Sequence, residues 1–244
     1  MEHWDRLCPE GYGYFYDDTL FPPGTDSFLL SSLPRLKPGL QVADLGSGIG
    51  LLGLLLLQRQ QGLFVTGVEL SEKAAALGEK NAELNGLSDR LRTLRGDIRE
   101  IRTLLPANAF DLVVSNPPYF PPGSGRLSKN PETQGARAEL SCSLEALCAA
   151  AAYLLRWGGS FCLVHRPERL TDLLCTLRAF AMEPKRLRPV CLRAGAAPSL
   201  LLLEGRRGGK PGLLVEAPLF LQSLDGSPTG ELDRIYFRNQ EDKP

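Results

Sequence analysis

Asn116-Pro117-Pro118-Tyr119 closes the apolar run Phe110-Asp111-Leu112-Val113-Val114-Ser115 and is the segment richest in usable chemistry. Consecutive prolines fix φ and remove two backbone donors, leaving a rigid corner rich in acceptors. An exocyclic NH2 conjugated to a ring or a carbonyl is a poor nucleophile, because its lone pair is delocalised. The Asn116 side-chain oxygen and the Pro117 carbonyl can both accept hydrogen bonds from such a group. Those bonds orient the lone pair and stabilise the positive charge that grows on nitrogen as it attacks. Tyr119 offers a face for stacking on the planar group, a contact worth ~1–3 kcal/mol per base in single-stranded nucleic acid. Asn116, Pro117, Pro118 and Tyr119 are therefore the candidate catalytic set, and no general base is needed before attack, since the proton can leave afterwards.

A second constellation lies upstream in Val42-Ala43-Asp44-Leu45-Gly46-Ser47-Gly48-Ile49-Gly50, followed by a leucine-rich stretch. A strand, a glycine turn and a helix in that order let a ligand approach the main chain and the helix N-terminus. Glu69 follows about 20 residues later at the end of Val65-Thr66-Gly67-Val68, where nucleoside-binding α/β sheets hold ribose hydroxyls. Asp97, in Arg95-Gly96-Asp97-Ile98, has two readings: an acceptor for the amino group of adenine, or the N-cap of a helix. A dinucleotide fingerprint requires a third glycine where this chain has Leu51, so the turn departs from the nicotinamide pattern.

These residues need a scaffold, and alternating apolar runs and amphipathic stretches supply one. Strands are expected at about 41–45, 63–69, 91–95, 111–115, 159–165, 187–193 and 199–204, and helices at about 50–60, 72–85, 139–156 and 167–181. Asn85-Gly86 and Trp157-Gly158-Gly159 read as helix stops. The segment from Phe120 to Pro131 reads as a loop over a ligand site and Gly205 to Gly212 as a second, basic loop. The alternation implies an α/β fold built on a mostly parallel sheet with helices on both faces. Three parts are expected: 1–39 closing the site, a core over 40–212, and an extension over 213–244 packed on that core.

With 28 basic and 28 acidic side chains in 244 residues and 43% hydrophobic content, the chain is neither a disordered tail nor a generic polycation. The apolar run near Leu51 to Leu57 is too short to span a bilayer, and the N-terminus lacks secretory signal features, so a cytoplasmic chain with thiol cysteines is expected. Cys8, Cys142, Cys148, Cys162, Cys175 and Cys191 form no C-x-x-C pair, which argues against a zinc site. His165 reads as a packed strand end rather than a catalyst. Ala151 to Gly212 carries 11 basic residues against four acidic ones, a local excess of +7 that could meet a polyanion or simply be solvated.

Asp44, Gly46, Gly48 and Gly50 match the D-x-G-x-G-x-G motif, so the sequence resembles the class I S-adenosylmethionine-dependent methyltransferases. That resemblance implies a Rossmann-like fold with a seven-stranded, mostly parallel sheet that includes one antiparallel strand. It implies S-adenosylmethionine as cofactor, held by Asp26, Asp44, Gly46, Ser47, Gly48, Gly50, Glu69, Leu70, Asp97, Ile98 and Asn116. In that family N-P-P-Y marks methylation of planar nitrogen, either adenine N6 or a glutamine amide.

Further segments resemble the bacterial transfer-RNA methyltransferases that modify adenine N6 beside the anticodon of a valine tRNA. These are Thr25-Asp26-Ser27-Phe28-Leu29-Leu30, Ala136-Arg137-Ala138-Glu139, the N-P-P-Y-F run ending in Phe120, and Pro218-Leu219-Phe220 with Asp225-Gly226. Thr25 stands where that family has Ser, and Ala138 where it has His. The resemblance implies tRNA as partner, Tyr119, Phe120 and Arg137 as substrate contacts, no metal, no membrane and a monomeric chain. The aromatic stretch Cys8 to Tyr16 then reads as a substrate-facing loop, and the arginines of 156–210 as holding phosphates. Two alternatives stand beside it: a protein glutamine methyltransferase acting on a release factor, and a non-catalytic nucleic-acid-binding protein on the same fold. The roughly 40 residues before the first core strand, interrupted by Pro22-Pro23, Pro34 and Pro38, leave no room for the N-terminal helical bundle usual in the former.

Overall fold

The computed structural model of the chain describes residues 1–20, 22–117 and 143–238. An antiparallel hairpin comes first: β1 (Glu2–Arg6) pairs with β2 (Gly13–Asp17), with Trp4 opposite Phe15. The helix α1 (Thr25–Ser31) follows. Then come β3 (Gln41–Leu45), α2 (Leu51–Arg59), β4 (Phe64–Glu69), α3 (Glu72–Leu84) and β5 (Leu91–Arg95). A 3-10 turn (Ile98–Glu100) leads into the short α4 (Ile101–Leu104) and β6 (Phe110–Ser115). After residue 142 the chain continues through α5 (Leu144–Leu154), β7 (Leu155–His165), α6 (Leu170–Ala179), β8 (Met182–Cys191) and β9 (Pro198–Arg207). It ends with β10 (Leu214–Val215), β11 (Leu219–Phe220) and α7 (Gly230–Ile235).

The main sheet runs β5-β4-β3-β6-β7-β9-β8, and β10 and β11 both pair with the outer edge of β8. β9 is antiparallel to both of its neighbours, while β3, β4, β5, β6 and β7 pair in parallel. The seven expected strands are thus present, with two dipeptide strands added at one edge. Pro189, which has no N–H to donate, falls between the two pairing points of that edge, Arg186–Leu187 and Val190–Cys191.

Strand side chains alternate between two buried layers. Val42, Leu112, Val114, Cys162, Val164, Leu200 and Leu202 face a core shared with α1, α2 and α3. Ala43, Val113, Phe161, Leu163, Leu201 and Leu203 face the core shared with α5 and α6. Runs that are apolar at every position, such as Leu200 to Leu203, are what a strand covered on both faces requires. α2 is likewise buried along its length, with Leu54 to Leu57 fully inaccessible, each worth about 1.5–3 kcal/mol of transfer free energy. Among the described residues no helix is long and apolar enough to cross a membrane.

Several expectations need correction. The stretch Cys8 to Tyr16 is not one loop: its second half is β2, and Asn81 and Asn85 on α3 bind that strand as a neighbouring strand would. The Asn81 amide accepts from the Phe15 N–H (2.7 Å) and donates to the Phe15 carbonyl (3.1 Å). The Asn85 amide does the same for Gly13, at 2.9 and 2.8 Å. Spacing of four on a helix matches spacing of two on a strand closely enough for two amides to replace a ladder.

Trp157-Gly158-Gly159 does not stop a helix. α5 already ends before Leu155, whose ψ of 137° is extended, and the glycines lie inside β7 where its register with β6 shifts. β8 begins five residues earlier than expected, and Gly205 to Arg207 belong to β9 rather than to a loop. The two strands extend each other through antiparallel pairing, which local sequence does not reveal. The loop expected from Phe120 to Pro131 lies outside the described residues.

Candidate active site

β3 and β6 are adjacent, and the chain leaves them toward opposite edges, β3 to β4 and β6 to β7. Their carboxyl ends therefore diverge into the crevice where open α/β sheets bind ligands. The Ser115 hydroxyl donates to the Leu45 carbonyl at 2.7 Å, pinning the end of β6 to the end of β3. Asn116 follows directly on one side of this link and the glycine turn on the other.

Gly46 and Gly48 have φ of 76° and 54°, and a Cβ on either would meet nothing within 4 Å. The left-handed conformation excludes most other residues, and the open side leaves backbone accessible to a ligand. The turn is folded back on β4: Gly46 and Ser47 N–H both donate to the Val68 carbonyl, at 2.9 and 3.2 Å. Glu69 completes the support. One of its oxygens accepts from the Gly48 N–H and the other from the Ser71 N–H, each at 2.8 Å, and Ser71 caps α3. Glu69 is 5% exposed, and each oxygen retains a second lone pair with which a ribose hydroxyl could bond. Its part in shaping the turn is additional to the ribose contact that the sequence suggests.

Asp44 is 2% exposed, and burial together with the nearby Glu69 charge pushes its carboxyl up to about 8. Its Oδ2, with the Ser47 and Thr93 hydroxyls, is a buried polar atom without a hydrogen-bond partner among the described residues. Native interiors rarely leave such atoms unmatched, so three of them beside an open glycine turn fit a site that takes a polar ligand. A sulfonium-bearing nucleoside meets that donor set: it carries an ammonium, ribose hydroxyls and an adenine. Leu70, Ile98 and Asp26 lie half-buried beside Glu69, Asp97 and Ser27 respectively.

Asp97 adopts the capping role. Its Oδ1 accepts from the Arg99 N–H at 2.8 Å, and the Arg99 guanidinium closes on the carboxylate, holding it below the usual carboxyl range. The same carboxylate keeps lone pairs for a further donor.

Asn116 is half-buried, and its Nδ2 donates to the Ser27 hydroxyl on α1 at 3.1 Å. This bond turns the amide so that Oδ1 is the acceptor end, as the sequence reasoning requires. Ser27 itself escaped notice as a site residue, although it lies inside Thr25 to Leu30. Asn81 was also missed: fully buried, it donates to the Ile49 carbonyl of the glycine turn at 2.9 Å as well as binding β2. Two asparagines four apart in a helix, where asparagine is a poor former, were the available signal. Pro117 is half-buried next to Asn116. Pro118, Tyr119, Phe120 and Arg137 lie outside the described residues.

The arginines of 156–210 do not form a set of uncommitted cations. Arg156 pairs with Asp111, Arg169 with Asp172, Arg178 with Glu183 and Arg188 with Glu231, while Arg186 is held between Glu204 and Glu216. Arg186 also donates to the Leu33 carbonyl and Arg188 to that of Ala217, so both fasten flanking segments to β8. His165 is buried at the end of β7; its Nδ1 accepts from the Arg166 N–H, and burial lowers its pKa.

The family model for the methyltransferase small domain matches residues 21–175. A tRNA1(Val) (adenine(37)-N6)-methyltransferase of Tolumonas auensis is 33% identical over 220 residues, covering 88% of this chain and 90% of that protein. One from Porphyromonas gingivalis is 32% identical over 189 residues, covering 75% and 73%. Among solved structures, a predicted O-methyltransferase, protein Atu636 from Agrobacterium tumefaciens, superposes with a TM-score of 0.72 at 23% identity. It covers 88% of this chain and 96% of that one, and this likeness bears on the fold alone.

Proposed function

This chain belongs to the methyltransferase small domain family, and from that premise we propose that it transfers a methyl group from S-adenosylmethionine to N6 of an adenine in tRNA, beside the anticodon of a valine tRNA. The observation that carries the reading is Asn116 at the carboxyl end of β6, its amide turned by Ser27 and its strand pinned to the glycine turn. The 33% identity to a relative named for that reaction supports the choice of adenine.

The glycine turn, Asp44 and Glu69 would hold the cofactor, with Glu69 on the ribose and Asp44 toward the ammonium end. S-adenosylmethionine, when bound, supplies an electrophilic methyl on a sulfonium centre. Asn116 Oδ1 and the Pro117 carbonyl would accept the two hydrogens of the adenine NH2 and turn its lone pair toward that methyl. As positive charge develops on nitrogen, both acceptors bind it more strongly, which is how fixed dipoles lower a barrier. The Asn116–Ser27 bond keeps the amide from rotating its NH2 toward the substrate. Pro118 and Tyr119 would complete the corner and the stacking face, and Phe120 and Arg137 would contact the RNA. On this reading the core of 40–212 carries the chemistry, with 1–39 and 213–244 completing its surroundings. An anticodon-loop adenine is already partly unstacked and costs less to draw into a pocket than one in a duplex.

The test is mass spectrometry after separate incubation of unmodified bacterial tRNA and release factor with the protein and isotopically labelled S-adenosylmethionine. Label in N6-methyladenosine of the tRNA is expected. Label confined to the release-factor peptide would replace adenine by a glutamine amide and leave the role of Asn116 standing.

A further inference from the structure

Three segments far apart in sequence converge on a cleft of about 370 Å³ outside the crevice just described. The hairpin contributes Arg6 and Tyr14, the start of α1 contributes Thr25 and Phe28, and the C-terminal end contributes Tyr236 and Arg238. The volume lies within the range of small-ligand sites. Ser27, the partner of Asn116, sits on α1 between Thr25 and Phe28, so the cleft borders the proposed reaction centre.

Its chemistry is planar and cationic. Phe28 and Tyr236 stack with centroids 4.3 Å apart and planes 4° from parallel, and the Arg238 guanidinium lies 4.8 Å from the Tyr236 ring. Arg6, exposed, lies 5.2 Å from the Trp4 ring and donates to the Pro9 carbonyl. Asp5 is the one carboxylate among the lining residues, and it is engaged by the Tyr14 hydroxyl at 3.2 Å and the Arg6 N–H at 2.7 Å. The walls are also fixed in advance, because Asn81 and Asn85 anchor β2 to α3. A guanidinium above an aromatic column stacks bases, and a second guanidinium nearby pairs phosphate.

We propose that this cleft is a subsite for the unpaired nucleotide adjoining the methylated adenine, with its base stacked on the Arg238–Tyr236–Phe28 column and its phosphate paired by Arg6. The inference rests on RNA being the substrate. It assigns to the N- and C-terminal segments, which carry none of the methyl-transfer residues, the task of fixing the register of the RNA.

The experiment measures binding of an unmodified valine-tRNA anticodon stem-loop, in the presence of S-adenosylhomocysteine, by fluorescence anisotropy at several salt concentrations. Arg6→Gln is expected to weaken binding and to lower the slope of log K against log salt by ~0.7–0.9, the equivalent of one phosphate, and Arg6→Lys to restore the slope. Removing the base next to the target adenine should weaken wild-type binding about tenfold, the scale of one stacking contact. The same abasic RNA should cost Arg238→Ala little further. A wild type that methylates the stem-loop while these variants keep its salt slope and its sensitivity to the abasic site overturns the subsite alone. A wild type that neither binds nor methylates the RNA overturns the tRNA reading together with it.

Discussion

Where β3 and β4 end, Asp44 and Glu69 lie buried close together, and no cation among the described residues pairs with either. Across the sheet, on β8, Arg186 is also largely buried, yet two carboxylates and a backbone carbonyl saturate it. Both regions remove charge from water, an expensive step unless it is compensated. On β8 the chain compensates it internally, and the result is a clamp joining β9, the residue 33 carbonyl and the segment after β9. At the glycine turn the chain compensates Glu69 with backbone N–H groups and leaves Asp44 Oδ2, Ser47 Oγ and Thr93 Oγ1 without protein partners. Saturated buried charge marks architecture here, whereas unsaturated buried polarity marks the place prepared for a ligand.

Substitutions separate the two regions. Asn116→Ala should cut turnover by about 10²–10³-fold, the scale of removing one hydrogen bond that strengthens in a transition state. Thermal stability should stay near wild type, and single-turnover transfer of labelled methyl measures the loss. Retained turnover would remove Asn116 from the mechanism. Arg186→Ala should do the reverse, lowering stability by about 2–3 kcal/mol by stranding Glu204 and Glu216, with methyl transfer per folded molecule preserved. Urea denaturation reads it, and an unchanged midpoint would dissolve the contrast with the glycine turn.

A smaller effect is expected from pH. Because the folded-state pKa of Asp44 is raised to about 8, the native state holds a proton that the unfolded chain has lost. Stability should therefore fall as pH rises from about 4 to 8. Asp44→Asn should flatten that decline and gain at least about 1 kcal/mol at pH 8, roughly 2–4 °C in Tm. A wild-type Tm that climbs over this window would contradict the buried, unpaired reading of Asp44. Smallest of all, Arg169→Ala removes a half-exposed ion pair with Asp172 one helical turn away and should change stability by less than about 0.5 kcal/mol. A cost comparable to that of Arg186→Ala would mean that saturation alone does not distinguish a clamp from surface decoration.

Legibility in the sequence followed the range of the interactions. Strands β3, β4, β5 and β6 and helices α2 and α3 fell within a residue or two of expectation, because apolar period and glycine turns are local. The limits of β7, β8 and β9 were misplaced, since antiparallel partners distant in sequence set those ends. The hairpin escaped altogether. β2 is held by two helix asparagines 66 and 72 positions along the chain, and nothing in Gly13 to Asp17 announces them. Glu69 was found for one role and has a second, because its carboxylate closes a turn that begins 23 residues earlier.

The sequence by itself determined the crevice: strand, glycine turn and helix, an acid after the next strand, and Asn116 before two prolines. Each depends on backbone angles and side-chain types that neighbouring residues dictate. Only the tertiary structure decided which way the Asn116 amide faces, through Ser27, and that five arginines of the basic segment are bound by carboxylates. It also decided that the two ends of the chain meet in a cleft beside α1. Those outcomes depend on which distant groups come within hydrogen-bonding reach, and that distance is fixed only when the two cores pack against the sheet.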